Sequence, residues 1–122
     1  MKKLPGYLTI HPDSLLSDIS GRFNEIYPNL KLVFFSTPDP GNPLSQKIIR
    51  SRYTMVKRFS FITGSVEIDI TPQQTVTDVI AEFEKSAGLK AGILRKADFL
   101  WINTSLTQNW SLEKQQEEAK LL

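Results

Sequence analysis

The sequence predicts an α+β domain built from two copies of a strand–helix–strand unit. Three observations predict it. The run Leu8-Thr9-Ile10-His11-Pro12, followed by Asp18-Ile19 and Phe23, returns 60 residues on as Ile68-Asp69-Ile70-Thr71-Pro72, Asp78-Val79 and Phe83. One extra residue in Tyr27-Pro28-Asn29 then brings Leu30-Lys31 onto Leu89-Lys90. In both copies the hydrophobic period switches from two to 3.6 and back, the mark of a strand, a helix and a second strand. At 122 residues the chain is read as one domain, 1–122, with 8–35 and 68–95 as the repeats, 36–65 as a connecting insert and 111–122 as a C-terminal helix.

Residues 1–5 form a short basic lead-in. Gly6 to His11 reads as a strand, with Leu8 and Ile10 on one face and Tyr7 and Thr9 on the other; Pro12, which has no N–H to donate, ends it. Asp13 and Ser14 offer N-caps to a helix that buries Leu16, Ile19, Phe23 and Ile26 or Tyr27. Pro28-Asn29 stops that helix, and Leu30 to Phe35 is an apolar strand. Pro38, Pro40, Gly41 and Pro43 make the next stretch a loop. Gln46 to Arg58 fits neither period, and helix, strand and loop all remain open for it.

Phe59 to Ile62 and Val66 to Ile70 both read as strands around Thr63-Gly64. Thr75 with Asp78 matches a capping box, the side chains of each able to serve the other's backbone N–H. Val76, Val79, Ile80, Phe83 and Ala87 form the clearest helical stripe, and Gly88 ends it. Leu89 to Leu94 and Phe99 to Asn103 predict a hairpin around Lys96-Ala97-Asp98. Ser111 caps a final helix that is mostly polar and is expected to pack loosely through Leu112, Ala119 and the terminal leucines.

Two such units in one mixed sheet, with both helices on one face, predict a ferredoxin-like arrangement; a β-grasp-like sheet is the alternative. The predicted core is Leu8, Ile10, Phe23, Ile68, Ile70 and Phe83. Tyr7, Thr9, Glu67 and Asp69 occupy the opposite face.

Composition removes several function classes. With no Cys, a disulfide scaffold, a thiolate metal site and a cysteine nucleophile are excluded. The net charge of +2 neither demands nor forbids an anionic partner. No membrane-spanning run and no signal-peptide core follow the basic start, so a soluble cytoplasmic protein is expected. The one His, His11, beside Pro12, has no Cys or second His to share a metal and reads as a turn residue. Gly41 and Gly64 stand alone, so there is no phosphate-cradling loop. No cofactor or metal is expected.

Three functional readings follow. The first is a non-enzymatic interaction module, with a second copy of the chain or another protein as partner. Trp101 and Trp110 serve there either as clamps for the last helix or as interface residues, since Trp offers large contact area with a polar tip. The second is nucleic-acid binding through 47–62. Lys47, Arg50, Arg52, Lys57 and Arg58 run without an acid into Phe59-Ser60-Phe61. This stretch resembles the basic–aromatic core of the RNA-recognition motif, with Tyr7 as a further stacking platform; Arg58 and Ser60 stand where that motif prefers glycine. The third is an enzyme using the alternating carboxylates Glu67 and Asp69.

The stretch Trp101-Ile102-Asn103-Thr104-Ser105-Leu106-Thr107-Gln108-Asn109-Trp110-Ser111-Leu112-Glu113-Lys114-Gln115 resembles a family of small bacterial proteins of the Bacteroidetes type, of unknown function. In these a strand ending in Trp is followed by a Thr-rich link, a second Trp and a helix opening Thr-Leu-Glu; here Ser111 stands for that Thr. The likeness covers 66–118 and, more loosely, 8–35. It implies a bacterial, soluble, single-domain protein and carries no activity, cofactor or catalytic residue.

Overall fold

The computed structural model describes residues 6–120, with the side chain of Lys120 excepted. The basic lead-in 1–5 and the terminal leucines, assigned above to the apolar face of the last helix, lie outside the described residues. The elements run β1 (Tyr7–Ile10), α1 (Leu16–Ile26), β2 (Leu30–Phe35), β3 (Val66–Asp69), α2 (Val76–Ala87), β4 (Lys90–Ala97), β5 (Leu100–Asn103) and α3 (Leu112–Lys120), with short 3-10 turns at Pro43–Ser45, Val56–Arg58 and Ser105–Thr107.

The architecture is α+β, but the single mixed sheet expected above is replaced by two antiparallel ones: β1 with β3, and β2-β4-β5. The physical reason is that the strands of each unit pair with their counterparts in the other unit. These ladders do not establish a ferredoxin-like or a β-grasp topology. Both ladders between units are centred on repeat-related residues. Leu8 faces Ile68, 60 positions on, and Val33 faces Gly92, 59 positions on. The two units are therefore related by a pseudo-two-fold axis passing between these pairs.

The symmetry extends into the regions that the sequence left outside the repeat. Leu15, just before α1, bridges Met55, and Thr75, just before α2, bridges Ser111. The Leu16 N–H donates to the Thr54 carbonyl, and the Val76 N–H to that of Trp110. The Val56 N–H donates to Ser14 and the Leu112 N–H to Gln74; Lys57 and Glu113 donate likewise to Pro12 and Pro72. Ser17 Oγ donates to the Arg52 carbonyl and Thr77 Oγ1 to that of Gln108. Each unit is thus a strand, a helix, a strand and a returning segment that ties down the start of its own helix. The orphan N–H groups of a helix start need such partners.

The helices follow their stripes. Leu16, Ile19, Phe23 and Tyr27 are buried in the first, and Val76, Val79, Phe83 and Ala87 in the second. The six predicted core residues are all at most 2% exposed, and Phe34 meets Phe83 edge-on with ring centroids 5.4 Å apart. The capping box forms: Asp78 N–H donates to Thr75 Oγ1 and Thr75 N–H to Asp78 Oδ2, both at 3.1 Å. Gly88 holds the left-handed conformation at φ 66° that closes α2.

Three local expectations are corrected. Leu15, not Asp13 or Ser14, is the N-cap of α1, because Ser14 Oγ is taken up by the His11 N–H and Asp13 by Lys57. Phe59–Ile62 is not a strand: Ser60 Oγ donates to the Ala87 carbonyl, and Phe61 lies over Gly88, where an added Cβ would stand 3.0 Å from the ring. The last helix is not loosely attached. Leu112 and Gln115 are fully buried, and Gln115 joins Arg95 Nη1 at 2.8 Å to the Thr107 carbonyl at 2.8 Å. The predicted hairpin forms with Asp98 and Phe99 at its turn, Asp98 supplying the positive φ of 54°.

Candidate functional site

The hydrogen bonding of β2 on the side away from β4 creates a slot. Ser36 N–H donates to Lys47 and Ile49 N–H donates to Phe34, each at 2.8 Å; beyond Ile49 no backbone hydrogen bond among the described residues joins the returning segment to β2. Arg50 and Ser51 diverge from the strand, leaving a cavity of about 440 Å³ that reaches from the outer sheet face to the start of α1. That volume falls in the range of small-ligand sites, about 300–1,000 Å³.

Its walls are mostly apolar: Leu16, Val33, Ile48, Ile49 and Leu94 line it. Lys31, Arg50 and Trp101 stand at its rim, with Ser17, Ser20 and Ser51. No acid is among the lining residues, and neither Lys31 nor Arg50 forms a salt bridge among the described residues. The Lys31 ammonium sits 5.9 Å from the Trp101 ring centroid, within reach of its π face. Trp101 comes to this place because β5 pairs it with Lys96, two positions from the Lys31–Leu94 pair. The slot therefore offers two unneutralised cations, an aromatic edge and hydroxyls around an apolar interior, an arrangement suited to an anionic ligand with an apolar portion.

The pseudo-symmetry supplies an internal comparison. The equivalent space beside β4 is lined by Val33, Phe35, Val76, Ile80, Gly92, Leu94 and Thr104 among others, and amounts to about 160 Å³. Phe35 fills it by lying over Gly92, where a Cβ would stand 2.9 Å from the ring. Thr104 Oγ1 donates to the Ile93 carbonyl at 2.6 Å. Phe35 is the repeat partner of Leu94, a smaller side chain that leaves the first slot open. No Lys or Arg lines the closed copy.

Of the residues proposed from sequence, the structure brings Arg50 and Trp101 together. Lys31 was missed because a lone Lys on an apolar strand carries no signal until its neighbour strand is known. Lys57 is held by Asp13 at 3.1 Å, and Arg58 lies over Phe59, so the basic run is not one continuous patch. Lys47 and Arg52 are exposed and contribute backbone carbonyls to Ser36 and Ser17. Phe59 packs against the core, Phe61 is exposed beside Gly88, and neither stands on a strand, so the likeness to the RNA-recognition core lacks its stacking platform. Tyr7 is exposed on the outer side of β1, opposite Asp69.

Trp110 lies beside α3 between Arg95 at 5.3 Å and Lys114 at 4.4 Å. The Asp69 carboxylate accepts from Thr71 N–H, Thr71 Oγ1 and Gln74 Nε2, which fixes the turn into α2, while Glu67 is exposed. His11 is a turn residue whose Nδ1 accepts from the Asp13 N–H. No group of three His, Asp or Glu residues able to hold a metal occurs among the described residues, and none of their helices is long and apolar enough to cross a membrane.

Compared with protein-family models, curated proteins and solved structures, the chain matches none.

Proposed function

We propose that the chain is a non-enzymatic interaction module, bacterial and cytoplasmic, that binds an anionic partner in the open slot beside β2. The observation that carries this reading is the difference between the two repeat-related spaces. One is stopped by Phe35 and Thr104, and the other is open and rimmed by Lys31, Arg50 and Trp101 without a counter-charge. A rim cation left without a partner gains little for folding and is available to a ligand.

Titration of the ¹⁵N-labelled protein with hexaglutamate tests it. The Leu32 and Ser51 amides and the Trp101 indole N–H shift together, and the Arg50→Glu variant loses the response. Shifts scattered over all exposed lysines, or none, contradict the reading. Retention of a single-stranded RNA oligonucleotide with a steep loss on adding salt would instead favour the nucleic-acid alternative through 47–62.

Self-association is a second reading, favoured by the hairpin of β4 and β5. Among the described residues β5 is an edge strand, and Phe99 and Leu100 at its start are 99% and 69% exposed. An unpaired edge with apolar side chains is a template for another strand. Light scattering on the eluting protein resolves this: a dimer that Phe99→Asp dissociates supports it, and a monomer at millimolar concentration excludes it.

A further inference from the structure

The slot also constrains what kind of anionic partner it takes. On its open side, β2 alternates residues whose backbone groups point toward the slot with residues that pair with β4. Leu30, Phe34 and Ser36 make their bonds on the slot side. The Leu30 N–H donates to Tyr27, its carbonyl accepts from Asn24 Nδ2, the Phe34 carbonyl accepts from Ile49 and the Ser36 N–H donates to Lys47. Leu32 lies between them in the same alternation. Its N–H and carbonyl face the slot, and neither has a partner among the described residues.

Two adjacent backbone groups on one residue, aimed the same way, are what a single residue of an extended antiparallel chain satisfies. On one side both backbone groups of Leu30 are bonded; on the other, Ile49, bonded to the Phe34 carbonyl, already stands opposite Phe34, whose own N–H has no partner among the described residues, so pairing with both groups is confined to Leu32. An added strand needs more than that, whereas a chain terminus does not. The rim supplies the rest: Lys31 and Arg50 flank Leu32 on the outer side with no acid among the lining residues, and Arg offers a fork that matches a carboxylate. On the face that the Leu32 side chain occupies, which a residue paired with Leu32 shares, the apolar walls formed by Leu16, Phe34 and Ile49 have room for one aliphatic side chain.

We infer that the slot binds the C-terminal end of a peptide. The terminal carboxylate lies between Lys31 and Arg50, the last residue pairs with Leu32, and its aliphatic side chain enters the slot. This rests on the slot being the binding site, and adds that the anion is a chain-terminal carboxylate.

The test is calorimetric titration with acetyl-Ala-Ala-Leu as the free acid and as the C-terminal amide, alongside hexaglutamate and inorganic phosphate. The free acid binds, the amide binds at least tenfold more weakly, and Arg50→Gln weakens the free acid at least tenfold without lowering the melting temperature. In the complex the Leu32 amide moves downfield and the Trp101 fluorescence changes. Equal binding of acid and amide overturns the terminal-carboxylate inference. Binding of hexaglutamate or phosphate at the slot, with no binding of either tripeptide, also overturns it while leaving the slot as the site. If no probe perturbs Leu32 or Trp101, both readings fall.

Discussion

At the scale of single residues, several polar groups that folding buries find specific partners far along the chain. Tyr27 is buried against Phe23 and donates its hydroxyl to the Ile70 carbonyl at 2.6 Å. Burial, then the nearby carboxylates of Glu113 and Asp69, push its phenol up to about 12. In the unfolded chain that phenol ionises near its ordinary value, about 10. The folded state therefore holds its proton longer, and the sign follows: the stabilisation is complete below pH 10 and is lost as pH rises from about 10 to about 12. Alkaline denaturation monitored by circular dichroism should show this slope in the native protein and lose it in Tyr27→Phe. An unchanged slope in the variant would place the alkaline sensitivity elsewhere. Little of this was legible beforehand. Spacing offered Tyr27 only as an alternative to Ile26 for the core, and its hydroxyl partner lies 43 residues away, of which spacing along one helix says nothing. Gln115 is a similar case. A polar helix residue reads as solvated until Arg95 and Thr107 are found on either side of it.

At the scale of elements, the two helices and the strands that flank them were legible because each announces itself in its own residues. The apolar stripe of α2, its Thr75–Asp78 box and its Gly88 stop are local signals, and local signals survive in the fold. Phe83 sits at the centre of that stripe, fully buried and edge-on to Phe34. Truncating it to Ala should cost about 3–5 kcal/mol, the range for a large aromatic removed from a core that cannot collapse around the gap. Urea melts measure this through the midpoint; a loss below about 1 kcal/mol would mean the helix does not seat as described. The returning segments were not legible. Thr54-Met55-Val56 and Trp110-Ser111-Leu112 do the same work in the two units, yet share only an apolar third residue. Their bonds run backbone to backbone, and a carbonyl is the same whichever side chain stands on it. That is why 46–58 fitted neither period and why the basic residues there suggested a separate insert.

At the scale of the whole molecule, the repeat determines both what is symmetric and what is not. Pairing across the units, β1 with β3 and β2 with β4, makes each unit dependent on the other for its sheets. The sequence showed the duplication but not this exchange, because strands from either unit have the same period of two and pairing partners are chosen by tertiary fit. The slot is one of the places where the units depart from symmetry. Leu94 faces one cavity where Phe35 fills the other; Arg50 and Lys31 rim one, and no cation rims its counterpart. Of the basic run and the two tryptophans, the fold places Arg50 and Trp101 at the slot, beside Lys31.

The most direct measurement of this account repeats the hexaglutamate titration on the Val33→Gly, Leu94→Phe double variant, which copies Phe35 and the Gly92 it lies over into the open slot. The native protein should shift its Leu32 amide and Trp101 indole resonances, and the folded variant should leave both in place. A variant that binds as the native protein does would contradict the assignment of the slot as the binding site.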